Sequence, residues 1–173
     1  MRAICRSMAC ICIFFFLTAC EKSGKLAPFL PDEPAGWNLE GQVTSQHVSG
    51  VGYSSMRSYI PSGSTQGSKI QRVKVQITVA DKDAQKNDLN KILLGPMAGF
   101  WEQTTVKGFK ASDSFTISGE CYSRVVYPNS TTYVQIIAYN GGAESDNDTI
   151  EKGKEIVKTF ADKIDFTQIA GLK

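Results

Sequence analysis

The stretch IQRVKVQITV at residues 70–79 decides the fold. Val73, Val75, Ile77 and Val79 fall on one side of an extended chain, and Lys74, Gln76 and Thr78 fall on the other. Successive side chains of a strand point to opposite faces. The alternation therefore predicts a β-strand with one buried face and one wet or partly covered face.

Upstream, Val51, Tyr53, Ser55, Arg57 and Tyr59 share one face of a second strand, with Met56 and Ile60 on the other. The segment PSGSTQGS at residues 61–68 has nothing to pack and reads as the connection between the two. Downstream, Leu89, Ile92 and Leu93 fall at helical spacing and predict a helix over residues 84–94, with Asp81 or Asp83 as its cap. Gly95 and Pro96 interrupt it, and Pro96 suits a new first turn on which Met97, Phe100 and Trp101 form a second apolar surface. Three more strands follow over residues 110–117, 121–127 and 132–139, with Pro128, Asn129 and Ser130 turning between the last two. Asn140, Gly141 and Gly142 close the strand run. Residues 146–149 offer caps for a final helix whose stripe is Ile150, Ile156, Val157, Phe160, Ala161 and Ile164. Phe160, in the middle of that stripe, should pack on the sheet beside Val75 or Ile77. Asp165 and Gln168 have capping-box spacing for a last short turn, with Phe166, Ile169 and Leu172 sealing the domain edge.

The order is strand pair, helix, three-strand meander, helix. An antiparallel sheet of about five or six strands with helices packed against it, the α+β class, is the natural solution. This layout resembles the PsbP/Mog1-like fold, which includes bacterial lipoproteins of the DcrB type. The resemblance rests on the hairpin, the ITVAD strand leading into a helix, the meander, and a last helix ending in KIDF. It implies a compact scaffold or binding module, and no functional residue carries over from it.

The N-terminus has a separate pattern. Arg2 and Arg6 precede the uncharged run MACICIFFFL at residues 8–17. A spanning helix needs about 20 apolar residues, so this run matches the apolar region of an export signal instead. Leu17, Thr18, Ala19 and Cys20 then resemble the lipobox of bacterial lipoproteins; an ordinary signal ending near a cysteine is the alternative. The lipobox resemblance implies cleavage before Cys20, a diacylglyceryl group on its thiol, and acylation, commonly with palmitate, of the new amine. The expected organisation is a signal peptide at 1–19, a lipidated tether at 20–36, and one α+β domain at 37–173. The polar stretch from Glu21 to Pro34 would then reach roughly 50 Å at 3.3–3.6 Å per residue. Glu21 is not the aspartate that typically retains such proteins at the inner membrane, so in a Gram-negative cell the resemblance implies the outer membrane, facing the periplasm.

Cysteine usage fits export without disulfides. Cys5, Cys10 and Cys12 leave with the signal, Cys20 takes lipid, and Cys121 alone stays a free thiol. Taking Arg2 and Arg6 from 19 basic residues leaves 17, against 17 acidic residues. A neutral mature chain argues against nucleic acid as a partner, since phosphate contacts need a basic excess.

Side-chain chemistry is sparse. His47 is the sole histidine and precedes the predicted strands, and no serine sits in a G-x-S-x-G elbow. Cys121 falls in a period-two strand and reads as a packed thiol. One histidine and one free cysteine make no zinc cluster. Glu144, Asp146 and Asp148 form an acidic loop open to calcium, but helix capping explains it better. Asp113 and Glu120 are a conceivable carboxylate pair, as in glycosidases. The glycines form no phosphate loop, and no cofactor is expected. Tyr53, Tyr59, Tyr122, Tyr127, Tyr133 and Tyr139, with Trp101, are candidates for a carbohydrate or peptide groove or for ordinary sheet packing. The reading is a membrane-anchored, non-catalytic binding or scaffold module of the cell envelope, with an envelope protein as a possible partner. An envelope enzyme with an unrecognised site and a small-ligand carrier are the rivals. The polar loops at 61–68 and 141–148 and the exposed aromatics are where binding is expected, with His47 and Cys121 dispensable.

Overall fold

The computed structural model describes residues 24–63, 69–81, 100–115, 118–144 and 146–172. Seven strands form one antiparallel sheet: β1 (Trp37–Val48), β2 (Gly52–Pro61), β3 (Arg72–Ala80), β4 (Phe100–Val106), β5 (Phe109–Phe115), β6 (Ser118–Tyr127) and β7 (Thr132–Glu144). Their order across the sheet is β1-β2-β3-β7-β6-β5-β4. Two meanders, β1 to β3 and β4 to β7, therefore join edge to edge through β3 and β7. Helix α1 (Asn147–Asp162) lies over β6 and β7, and the short α2 (Phe166–Ala170) follows it. The α+β class holds, with seven strands where five or six were expected. The helix expected at 84–94 lies outside the described residues.

The β3 pattern plays out as its alternation requires. Val73, Val75 and Ile77 are fully buried on the face that meets the helices, beside Val134, Ile136 and Ala138 of β7 and Val126 of β6. Val157, Phe160, Ala161 and Ile164 of the α1 stripe and Phe166 and Ile169 of α2 close this core. Asp146 caps α1 by accepting from the Thr149 amide at 2.8 Å. Asp165 caps α2 by accepting from the amides of Thr167 and Gln168. On the opposite face Ser54, Thr78, Ser112, Ser123 and Gln135 are polar yet buried.

Three strands depart from the sequence reading. β1 is an edge strand in which Leu39 and Val48 stay exposed, and its register shifts between Glu40 and Thr44. Gly41, at φ 72°, permits that bulge. A bulge reverses the alternation midway, so no clean period of two exists to be read. β4 forms the other edge and contains Phe100 and Trp101, which were expected on a helical surface. Lys107 and Gly108, at φ 50° and 84°, make the two-residue turn into β5, the backbone hand that a tight hairpin needs. β7 also continues past Asn140, Gly141 and Gly142 to Glu144, so those residues do not end the strand run.

Part of the stretch expected as a tether at 20–36 packs against the domain. Leu26 and Leu30 belong to the main core, and a single 3-10 turn (Ala27–Phe29) lies between them. The Tyr59 hydroxyl donates to the Pro31 carbonyl at 2.5 Å, and Arg57 Nη1 donates to the same oxygen at 2.8 Å. Burial pushes the Tyr59 phenol up to about 12, against the opposing pull of Arg57. The folded value lies above the unfolded one near 10, so this contribution is full below pH 10 and lost as pH rises towards about 12. The linked loss is about 2–3 kcal/mol over that window. Denaturant midpoints measured from pH 9 to pH 11.5 should fall steeply in the wild type and less steeply in Tyr59→Phe.

Candidate functional site

The turn between β6 and β7 builds a concave site. Asn129 organises it: Oδ1 accepts from the Thr131 amide at 2.8 Å, the Thr132 amide at 2.7 Å and the Thr131 hydroxyl at 3.0 Å. Its Nδ2 donates to the carbonyls of Ala170 and Leu172, which ties the turn to the end of α2. The Ala80 amide donates to the Thr131 carbonyl at 2.7 Å, which fixes the turn to β3 as well. A residue that closes on its own backbone in this way makes a rigid wall.

Beside this wall lies a cleft of about 410 Å³ lined by Lys110, Tyr127, Ser130, Thr132 and Tyr133 together with Asn129 and Thr131. Lys110 and Tyr127 are direct partners across β5 and β6, and Tyr127 packs against Tyr133 of β7. No acidic residue is among the lining residues, so the one formal charge there is the Lys110 ammonium. The hydroxyls of the lining residues Thr132 and Tyr133 are buried, with no hydrogen bond of good geometry among the described residues. Burial holds the Tyr133 phenol above its ordinary range. A hydroxyl- and ring-lined depression with a single cation is suited to holding a small polar solute by stacking and hydrogen bonding.

The other candidates are dispersed. His47 sits in β1 rather than ahead of the first strand. Its Nε2 meets Asp81 Oδ2 at 2.8 Å, and its ring lies 4.3 Å from that of Tyr53. Cys121 lies in β6, at the irregular stretch between Glu120 and Tyr122. Four strand spacings separate β1 from β6, about 19 Å at 4.8 Å each. The two residues do not meet as nucleophile and base. Asp113 is buried against the core, where Arg124 grips it at 2.7 and 2.6 Å and the Tyr122 hydroxyl donates to it at 2.7 Å. Its lone pairs are committed to the fold, which takes it out of the proposed carboxylate pair; the Glu120 side chain lies outside the described residues. Burial and the Asp113 hydrogen bond raise the Tyr122 phenol.

Asp146 and Asp148 both accept from Lys69, at 2.6 and 3.2 Å, so Lys69, just ahead of β3, is tied to the start of α1. Lys69 first, then Thr149, holds the Asp146 carboxyl well below the usual range. The acidic loop is thus a cap and an ion-pair network, and the Glu144 side chain is outside the described residues. Among the described residues no group of three His, Cys, Asp or Glu side chains converges as a metal requires. Of the tyrosines, Tyr59 is in the core and Tyr139 lies under the Lys74 ammonium. Tyr127 and Tyr133 line a groove together, and single-strand reading missed it because the pairing register brings them together. The Trp101 side chain is outside the described residues. The chain matches no protein-family model, no curated protein and no solved structure.

Proposed function

We propose that the chain is a lipid-anchored, non-catalytic binding module of the cell envelope, carried on Cys20 and facing the periplasm from the outer membrane in a Gram-negative cell. The observation that carries the binding part is the Lys110, Tyr127 and Tyr133 cleft on its rigid turn. The lipobox residues carry the anchoring part. The PsbP/Mog1-like assignment belongs to the same reading. Its support is the order of a first meander, a long connection, a second meander and a closing helix. The small-ligand carrier is the second reading, and the same cleft would serve it. Between the sheet and α1, Val157, Phe160 and Ile164 are buried in the main core.

The test is a deletion strain with an envelope phenotype, complemented by variants at matched abundance. Tyr127→Ala and Lys110→Glu should each lose most complementation while staying folded. His47→Ala and Cys121→Ser should complement fully. Failure of His47→Ala alone, in a folded and correctly located protein, would move the function to the His47–Asp81 pair and end this reading.

A further inference from the structure

We propose that residues 26–36 act as a latch that holds the folded domain against the lipid surface, with a leash of only five residues between it and Cys20. This inference rests on Cys20 bearing lipid. The latch has several independent ties. Leu26 and Leu30 are each 4% exposed in the main core, with Phe29 packed beside them. Tyr59 and Arg57 both hold the Pro31 carbonyl, and Arg57 also lies 3.6 Å from Asp32. Further along, the Leu39 amide donates to Glu33 at 2.9 Å and the Ser62 amide to the Gly36 carbonyl at 2.8 Å.

Chain length then sets the reach. Cys20 and Leu26 are six backbone steps apart, which span at most about 22 Å at 3.3–3.6 Å per step. A domain of this size is about 38 Å across, from a radius of gyration near 15 Å. The leash is shorter than the domain is wide, so the domain rests on or beside the headgroups and cannot be carried off the bilayer. An unlatched segment running from Cys20 to Trp37 would reach about 55–60 Å at the same rise. The partner of the latch side is therefore the lipid headgroup surface itself.

The experiment uses the full mature lipoprotein in vesicles of phosphatidylethanolamine and phosphatidylglycerol carrying acceptor-labelled headgroups. A donor dye is attached at Ser62→Cys, whose amide bonds the Gly36 carbonyl at the latch end of the sheet, in a Cys121→Ser background. Energy transfer should be high with the native leash. It should drop when about 15 Gly/Ser residues, a further 50 Å of reach, are inserted between Ser23 and Gly24. It should also drop, at unchanged chain length, in the latch-release pair Leu26→Asn/Leu30→Asn. Near-ultraviolet circular dichroism of that pair reports whether the domain stays folded. Hydrogen exchange on the wild type gives an answer that needs no variant: the Phe29, Leu30 and Leu39 amides should be protected. Transfer that is already at the inserted-leash level in the wild type, or unprotected amides at those positions, would overturn the latch. Vesicle binding by Cys20→Ser equal to wild type would instead overturn the anchor, and the exchange result would still judge the latch by itself.

Discussion

Phe160→Ala is expected to lower the free energy of unfolding by about 3–5 kcal/mol. The ring is fully buried in the middle of the α1 stripe. It meets Trp37 edge-on at 5.4 Å and Tyr59 at 4.7 Å, so its loss opens a cavity and removes two favourable ring contacts. Val75 and Ile77, the neighbours expected from the sequence, belong to the same core, but the rings against Phe160 come from β1 and β2. The effect is a large share of the roughly 5–15 kcal/mol that stabilises an ordinary domain. Urea midpoints at constant slope measure it. A change below about 1 kcal/mol would mean that α1 does not pack as described.

Arg124→Ala should be comparably damaging, at about 3–5 kcal/mol, for a different reason. Arg124 and Asp113 side chains are only 10% and 7% exposed, and the guanidinium meets both carboxylate oxygens. Removing the cation leaves a buried carboxylate with Tyr122 as its remaining described side-chain donor. The pair itself need not add net stability, because desolvating two charges offsets much of their attraction. The double substitution Asp113→Leu/Arg124→Met should therefore recover most of what Arg124→Ala loses. Equal destabilisation in the single and double variants would show that side-chain packing, not the orphaned charge, sets the cost.

The interior strands and the closing helix were legible because one buried face imposes a single period. β3 shows this best, and the α1 stripe and the Asp146 and Asp165 caps follow the same logic. The edges were not legible. In β1 both faces are largely wet, and the bulge at Gly41 breaks the alternation. In β4 the residues after Pro96 offered an apolar surface equally compatible with a helical turn. The packed N-terminal segment was hidden by composition: Leu26 and Leu30 sit among Lys, Pro and Glu, and their burial depends on the distant Tyr59 and Arg57. The cleft was half legible. Tyr127, Tyr133 and the turn at Asn129 stand out in the sequence, but their union with Lys110 needs the β5–β6–β7 register. Asp113 shows the converse. A carboxylate that invites a catalytic reading in one dimension is closed off by Arg124 in three.

Lipid on Cys20 underlies both the proposed function and the latch, and the mass of the N-terminal tryptic peptide from the membrane fraction reports it. The expected result is a peptide beginning at Cys20 and ending at Lys22, heavier than its sequence by a diacylglyceryl group and an amide-linked acyl chain. Recovery of an unmodified Cys20, or of a mature N-terminus at another residue, would contradict it.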